Sequence, residues 1–128
     1  MSIENYNLLQ KQENENQIAI DFDDVVHLNS KGFHDGTVYD SPVPGVQQAF
    51  KQIKAAGYDI VIFTAKAKPD RPLVHGKTGA MLIWEWLEAH SLSSYIKQVT
   101  SEKPRAKYYI DDKAIRFTDW DATLKQIL

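Results

Sequence analysis

The chain has 128 residues, enough for one domain with a true core and too few for two. Hydrophobic residues at 43% and charged residues at 25% are ordinary globular proportions, and a formal net charge of -2 is too small to imply a nucleic-acid-binding surface or an acidic tail, while leaving room for a local basic patch. The absence of cysteine excludes disulfides, thiolate chemistry and cysteine-ligated zinc, and no apolar run approaches the roughly 18 residues of a membrane span. Residues 1–17, MSIENYNLLQKQENENQ, lack the basic start and apolar middle of a secretory signal and read as a mobile polar lead-in to a cytoplasmic protein. Structure is expected to begin with the short apolar strand Ile18-Ala19-Ile20, closed by Asp21, Asp23 and Asp24. Residues 27–44 have no period and include "GTVYDSPVPG", which is loop chemistry, and a loop of this length is more often functional than decorative.

A helix is predicted from about Pro44, with Val46, Ala49, Phe50, Ile53 and Ala56 on one face and Gly57 as its stop. "YDIVIFT" follows as a strand apolar enough to be buried on both faces, and "AKAKPDRPLVHGKTG" as a polar loop. A second helix spans roughly 79–90 with Ala80, Ile83, Trp84 and Leu87 toward the core. Trp86, two positions from Trp84, should then be exposed or lie in a subunit interface. "YIKQVTS" and "KYYID" predict two further strands, and "TDWDATLKQIL" a last helix capped by Thr118 or Asp119, with apolar positions at Trp120, Leu124 and Ile127 or Leu128. Strands alternating with helices predict an α/β fold, a three-layer α/β/α, Rossmann-like parallel sheet over residues 18–128.

That fold has a consequence for chemistry, because open α/β sheets bind ligands beyond the C-terminal ends of their strands. Asp21, Asp23 and Asp24 follow the first strand, Thr64 ends the second, and Asp111 and Asp112 end the fourth, with Lys103 just ahead of it. Five converging carboxylates raise one another's pKa, and a divalent cation is the simplest compensation. Oxygen-only ligands favour Mg²⁺ held together with waters and a substrate phosphate. An ionised Asp can attack phosphorus, and a carboxyl two residues on can protonate the leaving oxygen and later deprotonate water. The Thr64 hydroxyl suits positioning of the phosphoryl group and Lys103 suits stabilisation of its charge.

The ordered set "DFDDVV", "VIFTA", "EKP" and "YYIDDKAI" resembles the four motifs of the haloacid dehalogenase-like hydrolase superfamily, mainly phosphatases. It is most similar to small capless members with a "DFDGVIH…PVPG…IDDRAI"-type pattern, and the likeness runs from about residue 18 to the C-terminus. The resemblance implies Asp21 as nucleophile, Asp23 as general acid/base, Thr64 as a phosphoryl hydrogen-bond donor and Lys103 as charge balance. It implies Mg²⁺ held by the Asp21 side chain, the Asp23 backbone carbonyl, Asp111, and Asp112 directly or through water. Asp24 stands where Gly is commoner, although Asp tolerates unusual turn geometry. Lys113 replaces a frequent Arg, and "AKAK" a frequent Ser-Arg pair. About 35 residues separate "DFDD" from "YDIVIFT", too few for a cap domain, which leaves a large substrate, the loops or a second subunit to cover the site.

The implied activity is a Mg²⁺-dependent phosphatase acting on a nucleotide, a sugar phosphate or a phosphorylated nucleic-acid end, with Asp24, Lys66 and Lys68 as substrate contacts. Lys66, Lys68, Arg71, Lys77 and His75 make the loop after Thr64 basic, and a solvated face is the simpler reading of that run. The four histidines match no metal-ligand spacing, and each, His27 included, is expected to be structural or solvated. The competing class is a non-catalytic phosphate-binding or phospho-acceptor domain. A receiver-type acceptor would end the third strand, which here ends "QVTSEKP".

Overall fold

Ile18, Ala19 and Ile20 form the buried centre of β1 (Gln17–Asp21) in the computed structural model, which describes residues 2–5 and 16–128. Most of the expected lead-in lies outside the described residues; residues 3–5 are helical and exposed. β1 pairs in parallel with β2 (Asp59–Phe63), whose Ile60, Val61 and Ile62 are fully buried, as an apolar central strand requires. β3 (Ile96–Thr100) adds to β2, and β4 (Tyr108–Ile110) adds to the other side of β1. The chain is thus an α/β fold with a four-stranded, all-parallel sheet of order β3-β2-β1-β4.

The helix predicted from Pro44 starts two residues later, as α1 (Val46–Ala55). Gly45 occupies its N-cap position at φ 88°, a left-handed conformation that ends the loop and cannot belong to the helix. Its C-terminus is a Schellman motif: the Tyr58 amide donates to the Ile53 carbonyl and the Gly57 amide to the Lys54 carbonyl, with Gly57 at φ 93°. α2 (Gly79–Ala89) is capped by the Thr78 hydroxyl, which accepts from the Met81 amide. α3 (Trp120–Ile127) is capped by the Asp119 carboxylate, which accepts from the Ala122 amide.

Successive strand residues point to opposite faces. Ile18 and Ile20 of β1 and Ile60 and Ile62 of β2 share one core cluster with Val46 and Phe50 of α1 and with Ile83, Trp86 and Leu87 of α2. Both crossover helices therefore cover the same face, which two right-handed connections stepping in one direction across a sheet require. Trp86 corrects an expectation: it is only 6% exposed, while Trp84 is half-buried against the cluster. The 27–44 loop closes over the Trp86 side of α2, and the Trp86 indole N–H donates to the Asp40 carbonyl at 2.8 Å. The tail behaves otherwise. All three residues of β4 are exposed, α3 has no buried residue, and its apolar positions Trp120, Leu124, Ile127 and Leu128 face solvent. Among the described residues no helix is long and apolar enough to cross a membrane.

Candidate active site at the sheet edge

All four strands run in one direction, so their C-terminal ends lie on one edge of the sheet. The order reverses between β1 and β4: the chain steps β1, β2, β3 in one direction and then returns to the far side of β1. Such a switch point opens a crevice between two diverging connections. Ile20 pairs with Ile110, which brings the next residues, Asp21 and Asp111, level with each other across it.

Carboxylate oxygens of Asp21, Asp111 and Asp112 lie within 4.8 Å of one another. Oxygens on opposite sides of an octahedral Mg²⁺ stand about 4 Å apart, so this spacing suits a small hard cation with little adjustment. The electrostatics agree. Burial pushes the Asp21 carboxyl above its ordinary range, and repulsion from Asp111, Asp112 and Asp23 adds to it against the opposing hydrogen bond from the Phe22 amide. At the outer side of the triad the Lys113 ammonium pairs with Asp112 at 2.9 Å and the Lys113 amide donates to Asp111. Hydrogen bonding from Lys113 holds the Asp112 carboxyl below its usual value. Together with Asp21 and Asp111, the ammonium-bearing Lys103 lines a groove of about 810 Å³ on the sheet face opposite α1 and α2. The Lys103 ammonium lies over the Tyr109 ring, 4.8 Å from its centroid, and Tyr109 is itself fixed by donating its hydroxyl to the Pro104 carbonyl.

The three carboxylates behind β1 have three different surroundings, which answers how they coexist. Residues 22–27 form a tight turn in which the Val26 and His27 amides donate to the Phe22 carbonyl, and the Asp24 amide to the His27 carbonyl. Asp24 takes φ 71°, the left-handed geometry that an Asp can adopt in place of glycine. It faces solvent, and its charge contributes to the raised Lys113 pKa, after the hydrogen bond and charge of Asp112. Asp23 turns the other way. Its Oδ1 accepts from His27 Nδ1 at 2.9 Å and from the Lys66 ammonium at 3.1 Å. Burial alone raises the Asp23 carboxyl, but the His27 hydrogen bond and the Lys66 charge outweigh it and leave the group below its ordinary range.

His27 is fully buried and stacks on Phe22. The Asp40 amide donates to its Nε2 at 3.0 Å, so Nε2 is the bare nitrogen and Nδ1 carries the proton given to Asp23. Asp40 in turn is a hub of the 27–44 loop, its carboxylate accepting from the Ser30 amide and hydroxyl and from the Ser41 amide.

Thr64 is buried and opens a 3₁₀ turn, Ala65–Ala67. Its amide donates to the Thr100 carbonyl, and its Oγ1 accepts from the Lys66 amide at 3.2 Å, which leaves the hydroxyl proton available to an incoming oxygen. The same turn delivers Lys66 to Asp23. Sequence reasoning had Lys66 in a solvated basic loop or on substrate; in the structure it is 9% exposed and ion-paired. Lys68 is exposed, and Lys77 pairs with Glu85 on α2. The structure thus gathers Asp21, Asp111 and Lys103 at one groove, with Asp112 beside Asp21 and Asp111 in the carboxylate triad, ties Asp23 to Lys66 and His27, and leaves Asp24 and Lys68 outside both groups. The sequence signal for His27 was its place four residues after Asp23; nothing local signalled the partner of Lys66. No protein-family model, curated protein or solved structure matches the chain.

Proposed function

We propose that the protein is a Mg²⁺-dependent phosphatase that hydrolyses phosphate monoesters through an aspartyl-phosphate on Asp21. The observation that carries this reading is the Asp21, Asp111 and Asp112 triad at the switch point of the sheet, with a second carboxyl, Asp23, two residues along the chain. The likeness of the four ordered motifs to the haloacid dehalogenase-like superfamily supports it, as does the oxygen-only donor set, which fits Mg²⁺. On this reading the fold is the three-layer, Rossmann-like form without a cap, and α3 is the helix left for the second face.

The metal would be held by Asp21, Asp111 and Asp112 with the Asp23 carbonyl, and it would supply charge compensation that lets a carboxylate approach an anionic phosphoryl group. Asp21 attacks phosphorus, the bond to the ester oxygen breaks, and the leaving oxygen takes a proton from Asp23. Water then attacks the phosphoryl group, its proton passing to Asp23, and the Asp21 carboxylate is released. Thr64 donates its hydroxyl proton to a phosphoryl oxygen and Lys103 balances charge at the groove. The His27 hydrogen bond and the Lys66 charge set the Asp23 carboxyl below its ordinary range against the effect of burial, and a phosphate dianion beside it would act the other way by like-charge repulsion. The open groove suits a nucleotide, a sugar phosphate or a phosphorylated nucleic-acid end.

The test is phosphate release from these three substrate classes, with Mg²⁺ and with EDTA, by wild type and Asp21→Asn. Release that requires both Mg²⁺ and Asp21 is the expected result. One observation favours the second reading, a phosphate-binding or phospho-acceptor domain: Asp23 is ion-paired with Lys66 and its carboxyl lies below its ordinary range. Mg²⁺ binding without release from any substrate would decide for it.

A further inference from the structure

We propose that His27 and Lys66 are positioning residues that clamp one oxygen of Asp23 and so reserve the other, Oδ2, for proton transfer. The proposal rests on the phosphatase reading and adds to it two residues that the motif resemblance assigns no such role. Both donors converge on the same atom, Asp23 Oδ1, at 2.9 and 3.1 Å, and no donor within the described residues reaches Oδ2. Each donor is itself held. The His27 ring is fixed by the Asp40 amide at Nε2 and stacked on Phe22, with Trp86 and Tyr39 edge-on to it. Lys66 is fixed by the hydrogen bond that its amide donates to the Thr64 hydroxyl oxygen and by the approach of α2: a Cβ at Gly79 would overlap the Lys66 carbonyl oxygen outright.

This arrangement differs from a solvated carboxylate in the freedom it removes. An aspartate in water rotates about its last torsion and exchanges its two oxygens. Two donors on one oxygen stop that exchange and hold the other toward the reacting group, which is the preorganisation that proton transfer in a transition state uses. In the first step the P–O ester bond breaks and its electron pair goes to the leaving oxygen, which takes the proton carried on Oδ2. In the second, the attacking water returns a proton to the same Oδ2 as the bond between phosphorus and Asp21 breaks.

Loss of the clamp therefore has a signature that loss of stability lacks. A leaving group that is already acidic needs little help from Asp23, and a basic one needs much. The experiment measures kcat/KM with Mg²⁺ for aryl phosphates running from 4-nitrophenyl to 4-methoxyphenyl phosphate, on wild type, His27→Ala, His27→Asn and Lys66→Met, with thermal melts of each. We expect the ratio of 4-nitrophenyl to 4-methoxyphenyl turnover to rise about tenfold or more in His27→Ala and Lys66→Met, within the range general acid catalysis supplies. His27→Asn, which keeps a donor near the Nδ1 position, should recover much of the wild-type ratio. Equal losses across the series in both Lys66→Met and His27→Ala would overturn the proposal, and Lys66→Met decides alone if His27→Ala does not fold. A wild type without Mg²⁺-dependent release would instead overturn the phosphatase reading and the clamp with it.

Discussion

Gly79 offers a sharp check on how the site is held, because two principles give opposite signs for Gly79→Ala. Gly79 is the first residue of α2 and has no left-handed backbone to justify a glycine. Helix propensity alone would favour alanine by about 0.5–1 kcal/mol. The added Cβ, however, meets the Lys66 carbonyl, a backbone group that cannot swing aside as a long side chain would. Ordinary carbon contacts near 3.5 Å require α2 and the 3₁₀ turn to separate by roughly 1 Å or more. Overpacking of this kind costs about 1–3 kcal/mol, and a backbone contact belongs at the upper end. The net loss is about 2 kcal/mol, or roughly 5–10 °C in Tm for a domain of this size. Urea unfolding should show a lower midpoint at unchanged slope, and the Asp23–Lys66 pair should loosen as the turn moves. A midpoint equal to or above that of wild type would refute the reasoning, since α2 and the turn would then be free to part.

Asp23→Asn should destabilise by about 3 kcal/mol, or roughly 10 °C in Tm, because it leaves the Lys66 ammonium buried without a counter-charge; a melt at pH 7 checks it. Asp21→Asn should raise Tm in EDTA by relieving triad repulsion, while Mg²⁺ should raise the Tm of wild type and not of the variant. Asp40 is held at about 2 by the Ser30 hydroxyl and amide and the Ser41 amide, below its ordinary 3.8. A lowered carboxyl stabilises the folded state above its unfolded value and loses that contribution as pH falls toward the folded one. Melts between pH 5 and pH 2 should therefore show a steeper acid loss in wild type than in Asp40→Asn.

The order of strands and helices was legible because each carries its own signal: the β-branched runs of β1 and β2, the helical period after Val46, and the Gly57 stop. The site edge followed from the same pattern, since parallel strands must deliver Asp21, Thr64 and Asp111 to one end. The left-handed Asp24 was legible too, as a property of the residue type. Contacts set by tertiary approach were not. Lys66 lies 43 positions from Asp23, and no local pattern tells a buried lysine from a solvated one in a basic loop. Trp86 was misread because a helix of a two-sided domain can bury one residue against the sheet and another beneath a loop. Gly79 looked like loop composition and is in fact a point of backbone contact.

The acidic triad is assembled from the two ends of the described fold, and this bears on which parts of it open first. β4 has three residues, all exposed, and among the described residues pairs only with β1, so little besides its ladder bonds resists local opening. Asp21 belongs to β1, buried at its centre, and Asp111 and Asp112 to the chain just beyond β4. A cation shared among them would staple the edge strand to the rest of the sheet. Amide exchange in Tyr108–Ile110 should then slow on adding Mg²⁺, while exchange in β2 stays as it was. The last strand would act as a hinged jamb, latched by the ion that the proposed chemistry would use.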